Sequence, residues 1–140
     1  MKKALLSLFI LFTGLCFVSC SDISETKLKG DWVASNVTFL LNGQKDESYY
    51  NGLVYSLSFK DNSTVEVITG EYYSDEGWVL DGLWGRTFIC SYYVQDGVVH
   101  VGGIFNLSEQ FLYKGGELVW SEQEKEYYGV EETIVHYKKK

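Results

Sequence analysis

Leu53-Val54-Tyr55-Ser56-Leu57-Ser58-Phe59-Lys60-Asp61-Asn62-Ser63-Thr64-Val65-Glu66-Val67-Ile68 is the stretch that decides the fold. Its first half alternates: Leu53, Tyr55, Leu57 and Phe59 share one face, and Val54, Ser56 and Ser58 the other. That is the pattern of a strand with one side on a core and one side mostly toward water. Lys60 to Ser63 supply a tight turn, and Thr64 to Ile68 return as a second strand, so the two runs predict a hairpin. Similar runs flank it at Trp32–Leu41, Gly77–Trp84, Arg86–Val94, Val98–Ile104, Leu107–Tyr113, Glu117–Gln123 and Thr133–Lys138. Gln95-Asp96-Gly97 and Lys114-Gly115-Gly116 read as hairpin turns, where glycine supplies positive φ. The chain has no proline and no amphipathic helix of three turns. Eight or nine short strands at near-regular spacing predict an all-β fold, a small antiparallel up-and-down β-barrel of about eight strands, with a β-sandwich as the alternative. The lack of helix also separates the chain from α/β enzymes, whose sites sit where strands pass into helices.

Upstream of the strands the chain changes character. Met1, Lys2 and Lys3 open it, Ala4 to Val18 is nearly all apolar, and Phe17-Val18-Ser19-Cys20 places a small residue before a cysteine. The run is short for a membrane span, which needs about 20 apolar residues, and its flanks are those of an export peptide. The pattern resembles the lipobox of Gram-negative lipoproteins, with Phe17 where leucine is commonest. Cys16 is a poorer acceptor because Leu15 precedes it. The resemblance implies a signal peptide over 1–19, acylation of Cys20, a tether over 20–27 and a domain over 28–140. It also implies a lipid-anchored location in the bacterial cell envelope, with the outer membrane expected and a periplasmic or surface-exposed domain.

Removing the two signal lysines leaves 10 Lys plus Arg against 19 Asp plus Glu, a net charge of −9. That argues against nucleic acid and against an electrostatic grip on anionic lipid, both of which need a basic face. It is compatible with a basic protein partner. With Cys20 acylated, Cys90 is the one remaining thiol, so no internal disulfide is expected.

The order of motifs resembles the lipocalin-like bacterial lipoproteins. The matching residues are Leu28-Lys29-Gly30-Asp31-Trp32, Phe59-Lys60-Asp61-Asn62-Ser63-Thr64, Tyr93-Val94-Gln95-Asp96-Gly97-Val98-Val99, Leu118-Val119-Trp120 and the closing Thr133 to Lys138. The resemblance implies a small barrel that holds one small ligand or is filled by its own side chains. In lipocalins the first-strand tryptophan packs under an arginine of the last strand. Here that strand carries His136 and Lys138, and the sole arginine is Arg86, so a lysine is the available cover for Trp32 by cation-π contact.

Trp32, Leu53, Tyr55, Leu57, Phe59, Phe88, Tyr92 and Trp120 are the candidate ligand-lining residues, and each would serve equally as core. Four tyrosine pairs, at 49–50, 72–73, 92–93 and 127–128, would each put one ring inside and one outside if on strands. Tyr50, Tyr73, Trp78 and Trp84 are the candidates for an outward aromatic platform near one barrel end. Cys90 falls in step with Phe88 and Tyr92 and reads as inert core. His100 and His136 stand apart, and Glu122, Glu124 and Glu126 share a face that reads as solvated. Asp75-Glu76 and Glu131-Glu132 are adjacent loop acids. With no catalytic set, metal site or cofactor motif, the expectation is a non-enzymatic envelope module that binds a small apolar or aromatic ligand. The alternatives are an acidic inhibitor of a basic protein such as a lysozyme, and a carbohydrate-binding module with a glycan partner.

Overall fold

The computed structural model describes residues 23–140. Cys20 and the expected signal peptide lie outside them. One helical turn, α1 (Glu25–Leu28), precedes ten strands: β1 (Gly30–Leu41), β2 (Gln44–Lys45), β3 (Tyr49–Phe59), β4 (Thr64–Tyr73), β5 (Gly77–Val79), β6 (Thr87–Gln95), β7 (Val98–Ile104), β8 (Leu107–Lys114), β9 (Glu117–Glu126) and β10 (Gly129–Lys139). Eight of them form a ring in the order β1-β3-β4-β6-β7-β8-β9-β10. The ring closes where β10 pairs antiparallel with β1, from Trp32↔Lys139 to Leu41↔Glu131. β2 and β5 are short additions on β1 and β4. The fold is thus the expected up-and-down barrel, and the closing pair removes the two open sheets of the sandwich alternative.

Local chemistry sets the turns. Asp61 Oδ1 accepts the backbone N–H groups of Ser63 and Thr64 at 2.8 and 2.6 Å, which ties the β3–β4 turn. Asp96 and Gly97 both have positive φ, as do Gly115 and Gly116, the conformation of tight two-residue hairpins. These turns, with the start of β1 and the end of β10, gather at one end of the barrel. The connections over 42–48, 74–86, 105–106 and 127–128 gather at the other.

The first end is closed. Leu28 and Ile23 are buried with Trp32 and Phe59 in one apolar cluster, and the Trp32 indole N–H donates to the Leu28 carbonyl at 2.7 Å. The lysine that covers Trp32 is Lys139, one position beyond the expected Lys138. Its Nζ lies 6.0 Å from the indole centroid and donates to the Lys27 carbonyl at 2.9 Å. All eight ring strands send buried side chains to the interior, among them Leu57, Val67, Val101, Phe111, Leu118 and Tyr137. Tyr137 packs edge-on against Phe111, and its hydroxyl donates to the Val54 carbonyl at 2.7 Å.

Two strands depart from their sequence reading. In β3 the register slips between Asn51 and Leu53 and again between Val54 and Ser56. Each extra residue moves the rest of the strand to the opposite face. Leu53 and Val54, neighbours between the two slips, are both buried, and Tyr55, the unpaired residue at the second slip, packs against Trp78, with ring centroids 5.1 Å apart. The strand expected over Gly77–Trp84 stops at Val79. Beyond it the chain folds back, with the Gly85 N–H donating to the Gly82 carbonyl at 3.1 Å. A Cβ on Gly85 would stand 1.8 Å from the Leu80 carbonyl oxygen, so no larger residue fits there.

Candidate functional site

The open end holds a cavity of about 150 Å³ whose walls include Tyr50, Leu53, Trp84, Phe105, Glu109 and Trp120. Three local features build it. The hydroxyl of buried Thr69 donates to the Trp84 carbonyl at 2.7 Å and fixes the loop that carries that indole. Gly52 has φ of 77° and passes close beneath the rings, since a Cβ there would lie 3.2 Å from both Trp84 and Phe105. Phe105 sits in the two-residue β7–β8 turn with Asn106, both at positive φ, and meets Trp84 and Phe88 edge-to-face at 5.5 and 4.8 Å.

Polar groups line the opposite wall. The Trp120 indole N–H donates to Glu109 Oε2 at 2.7 Å, and its ring meets Tyr50 edge-on at 5.6 Å. The Tyr50 hydroxyl donates to Glu122. Burial, more than the Glu122 carboxylate, holds the Tyr50 phenol above its ordinary range. Burial likewise pushes Glu109 up, the Trp120 N–H pulls it partly back, and Glu122 adds to the rise. A second cleft, of about 120 Å³, runs from Tyr50 past Phe39 to Asp46, Glu122, Glu124, Glu131 and Glu132. Among the described residues the two ion pairs both involve Glu117, so none of these cleft or cavity carboxylates is neutralised by a cation.

The rise at Glu109 fixes the sign of one stability effect. Because its folded pKa exceeds the unfolded value, ionisation costs the fold above the ordinary glutamate range, near 4.3, and costs nothing well below it. Glu109→Gln keeps an acceptor for the Trp120 N–H, and is expected to raise the melting temperature at pH 7 but not at pH 3. Thermal scans at the two pH values check this, and a lower melting temperature at pH 7 would contradict it.

The candidate residues are divided by this geometry. Trp120 lines the cavity, and Phe88 stands behind Phe105. Trp32, Phe59 and Tyr92 are core at the closed end; Phe59 and Tyr92 meet edge-on at 4.9 Å, and the Tyr92 hydroxyl donates to the Asp61 carbonyl at 2.7 Å. Tyr50, Tyr73, Trp78 and Trp84 do reach the same end but form no shared platform. Tyr50 turns to Trp120, Trp84 to Phe105, and Trp78 to Tyr55 and Tyr72, while Tyr73 stacks on Tyr49 and donates to Glu71 at 2.8 Å. The β3–β4 register, which pairs Tyr49 with Tyr73 and Tyr50 with Tyr72, sets Tyr50 and Tyr73 on opposite faces of the ribbon.

The tyrosine pairs follow strand alternation at one clear place. Tyr92 is buried while Tyr93 is exposed and stacked on His100, with centroids 4.5 Å apart. Tyr127 and Tyr128 both lie exposed in a turn. Cys90 is buried, which raises its thiol pKa. His136 Nδ1 lies 2.8 Å from Glu117. Glu122 and Glu124 line the acidic cleft, because they continue the Trp120 face of β9. Phe105, Leu107 and Glu109 were not singled out by their sequence context. The one available signal was an apolar residue beside Asn106 between two strands.

No protein-family model matches the chain, and no curated protein matches it. Among solved structures, it is similar to the zebrafish ileal bile acid-binding protein in complex with cholic acid, at 13% identity and a TM-score of 0.40, over 81% of this chain and 99% of that one.

Proposed function

We propose that this protein is a lipid-anchored, non-catalytic binding module of a Gram-negative cell envelope, acylated at Cys20, whose open barrel end takes a small aromatic or apolar ligand. The observation that carries the binding reading is the cavity between Trp84, Phe105 and Trp120. A cavity of about 150 Å³ has the size that accepts one benzene-like ring, and the barrel beneath it is occupied by the protein's own side chains. Edge and face contacts from two indoles suit an aromatic guest. Glu109 and Glu122 disfavour a carboxylate on that guest, because like charges repel strongly where water is scarce. A non-enzymatic role is supported by the burial of Cys90 and by the placement of the two histidines on different strands, His100 on β7 stacked on Tyr93 and His136 on β10 beside Glu117.

Calorimetric titration with indole, tryptamine and indole-3-acetate tests this reading. Indole and tryptamine should bind, indole-3-acetate should bind at least about tenfold more weakly, a difference of roughly 1.4 kcal/mol, and Trp84→Ala should remove the signal. Tightest binding of indole-3-acetate, or no heat with any of the three, would refute it.

A further inference from the structure

The barrel divides its charge between its two ends. Lys27, Lys29, Lys60, Lys114 and the run Lys138 to Lys140 all lie at the closed end, in α1, the turns beside it and the end of β10. Glu25, Asp31, Asp61, Glu66, Asp96 and Glu117 lie among them, and Asp22 just precedes Ile23 in sequence, so the closed end is close to charge-balanced; Asp31 accepts from the Ser58 hydroxyl, Asp61 from its turn, and Glu117 pairs with His136 and Lys138. The open end has only Lys45, Arg86 and Lys125 among the described residues. Facing them are the acids of three connections, Asp46-Glu47, Asp75-Glu76 with Asp81, and the Glu122 to Glu132 ribbon. The negative charge of the domain is therefore concentrated at the open end, a division hidden in the whole-chain value that argued against contact with anionic lipid.

The chain enters the fold at the closed end. Ile23 is buried there, beside the turn in which the Leu28 N–H donates to the Ser24 carbonyl. Cys20 precedes Ile23 by three residues, a reach of at most about 11 Å. We propose that the protein stands end-on upon an anionic lipid surface, with its lysine-rich closed end against the headgroups and its acidic open end directed away. This orientation rests on the proposed acylation of Cys20. A negatively charged surface attracts the lysines and repels the carboxylates. Screening confines that field to roughly 8 Å at physiological salt, so the end that the anchor already holds near the surface is the end that feels it. The cavity then opens to the aqueous side, where a ligand or partner arrives without crossing the lipid headgroups.

The test uses the intact protein in vesicles of phosphatidylethanolamine and phosphatidylglycerol that carry a headgroup nitroxide lipid. A fluorophore is attached through Lys60→Cys in one preparation and Tyr127→Cys in another, both exposed positions at opposite ends, Tyr127 being 98% exposed. The label at 60 should be quenched at least threefold more than that at 127, and Lys27→Glu with Lys29→Glu should narrow the ratio. Equal or reversed quenching of vesicle-bound protein overturns the orientation alone. Failure of the unlabelled protein to float with vesicles overturns the anchor, and the orientation with it.

Discussion

Phe111→Ala is expected to destabilise the fold by about 3–5 kcal/mol, the range for deleting a buried aromatic ring that its neighbours cannot replace. Phe111 is fully buried, pairs across β7 with Val99 and meets Tyr137 at 5.5 Å. The Tyr137 hydroxyl is held by the Val54 carbonyl, so that ring cannot swing into the vacated space without abandoning a buried hydrogen bond. A loss of this size is a large share of the roughly 5–15 kcal/mol that typical domains possess. Urea titration should show a lower midpoint with an unchanged slope, the sign of lost stability with the same surface exposed. A cost below about 1 kcal/mol would mean a slack interior able to admit a guest, contrary to a barrel filled by its own side chains.

The second large effect concerns location. Exported behind an ordinary secretory signal peptide and carrying Cys20→Ala, the protein should move entirely from the membrane fraction to the soluble fraction. Each buried acyl methylene contributes roughly 0.8 kcal/mol, so two or three chains amount to an essentially permanent hold. Among the described residues no helix is long and apolar enough to cross a membrane. The soluble form should melt at the same temperature as the anchored one, because the core from Ile23 onward is unchanged. Membrane retention of the variant, or an intact mass without acyl chains on the unmodified protein, would remove the anchor from the proposal.

The barrel was legible because alternation and turn chemistry are local. Asp61, Gly97 and Gly115 stand where the turns need them, and the strands between follow. The site was not legible for equally local reasons. Two bulges in β3 reversed the faces around Tyr55, and no composition rule marks a bulge whose second strand is absent from view. The Leu80–Arg86 loop carries Trp84 to the cavity through the Thr69 hydroxyl, a contact fifteen residues away in sequence. Phe105 reaches the cavity beside Trp84 because Gly52 lets β3 pass beneath both rings, a fact of three-dimensional approach. The lysine cover on Trp32 was foreseen as a type of contact, and the bulge at Ala34/Asn36 is part of the β1–β10 register in which Lys139 stands opposite Trp32. Charge told least of all, because a single net value cannot show that the excess of carboxylates lies toward one end while most lysines lie at the other.

The four tryptophans provide the most direct test of the central claim that binding is confined to the open end of a filled barrel. Each indole N–H gives its own signal in a nitrogen–proton correlation spectrum, and the protein can be titrated with tryptamine. The signals of Trp84 and Trp120 should move with saturation, while that of Trp32, bonded to the Leu28 carbonyl inside the closed end, should stay fixed. A largest shift at Trp32, or no shift at Trp84 and Trp120 at millimolar tryptamine, would contradict it.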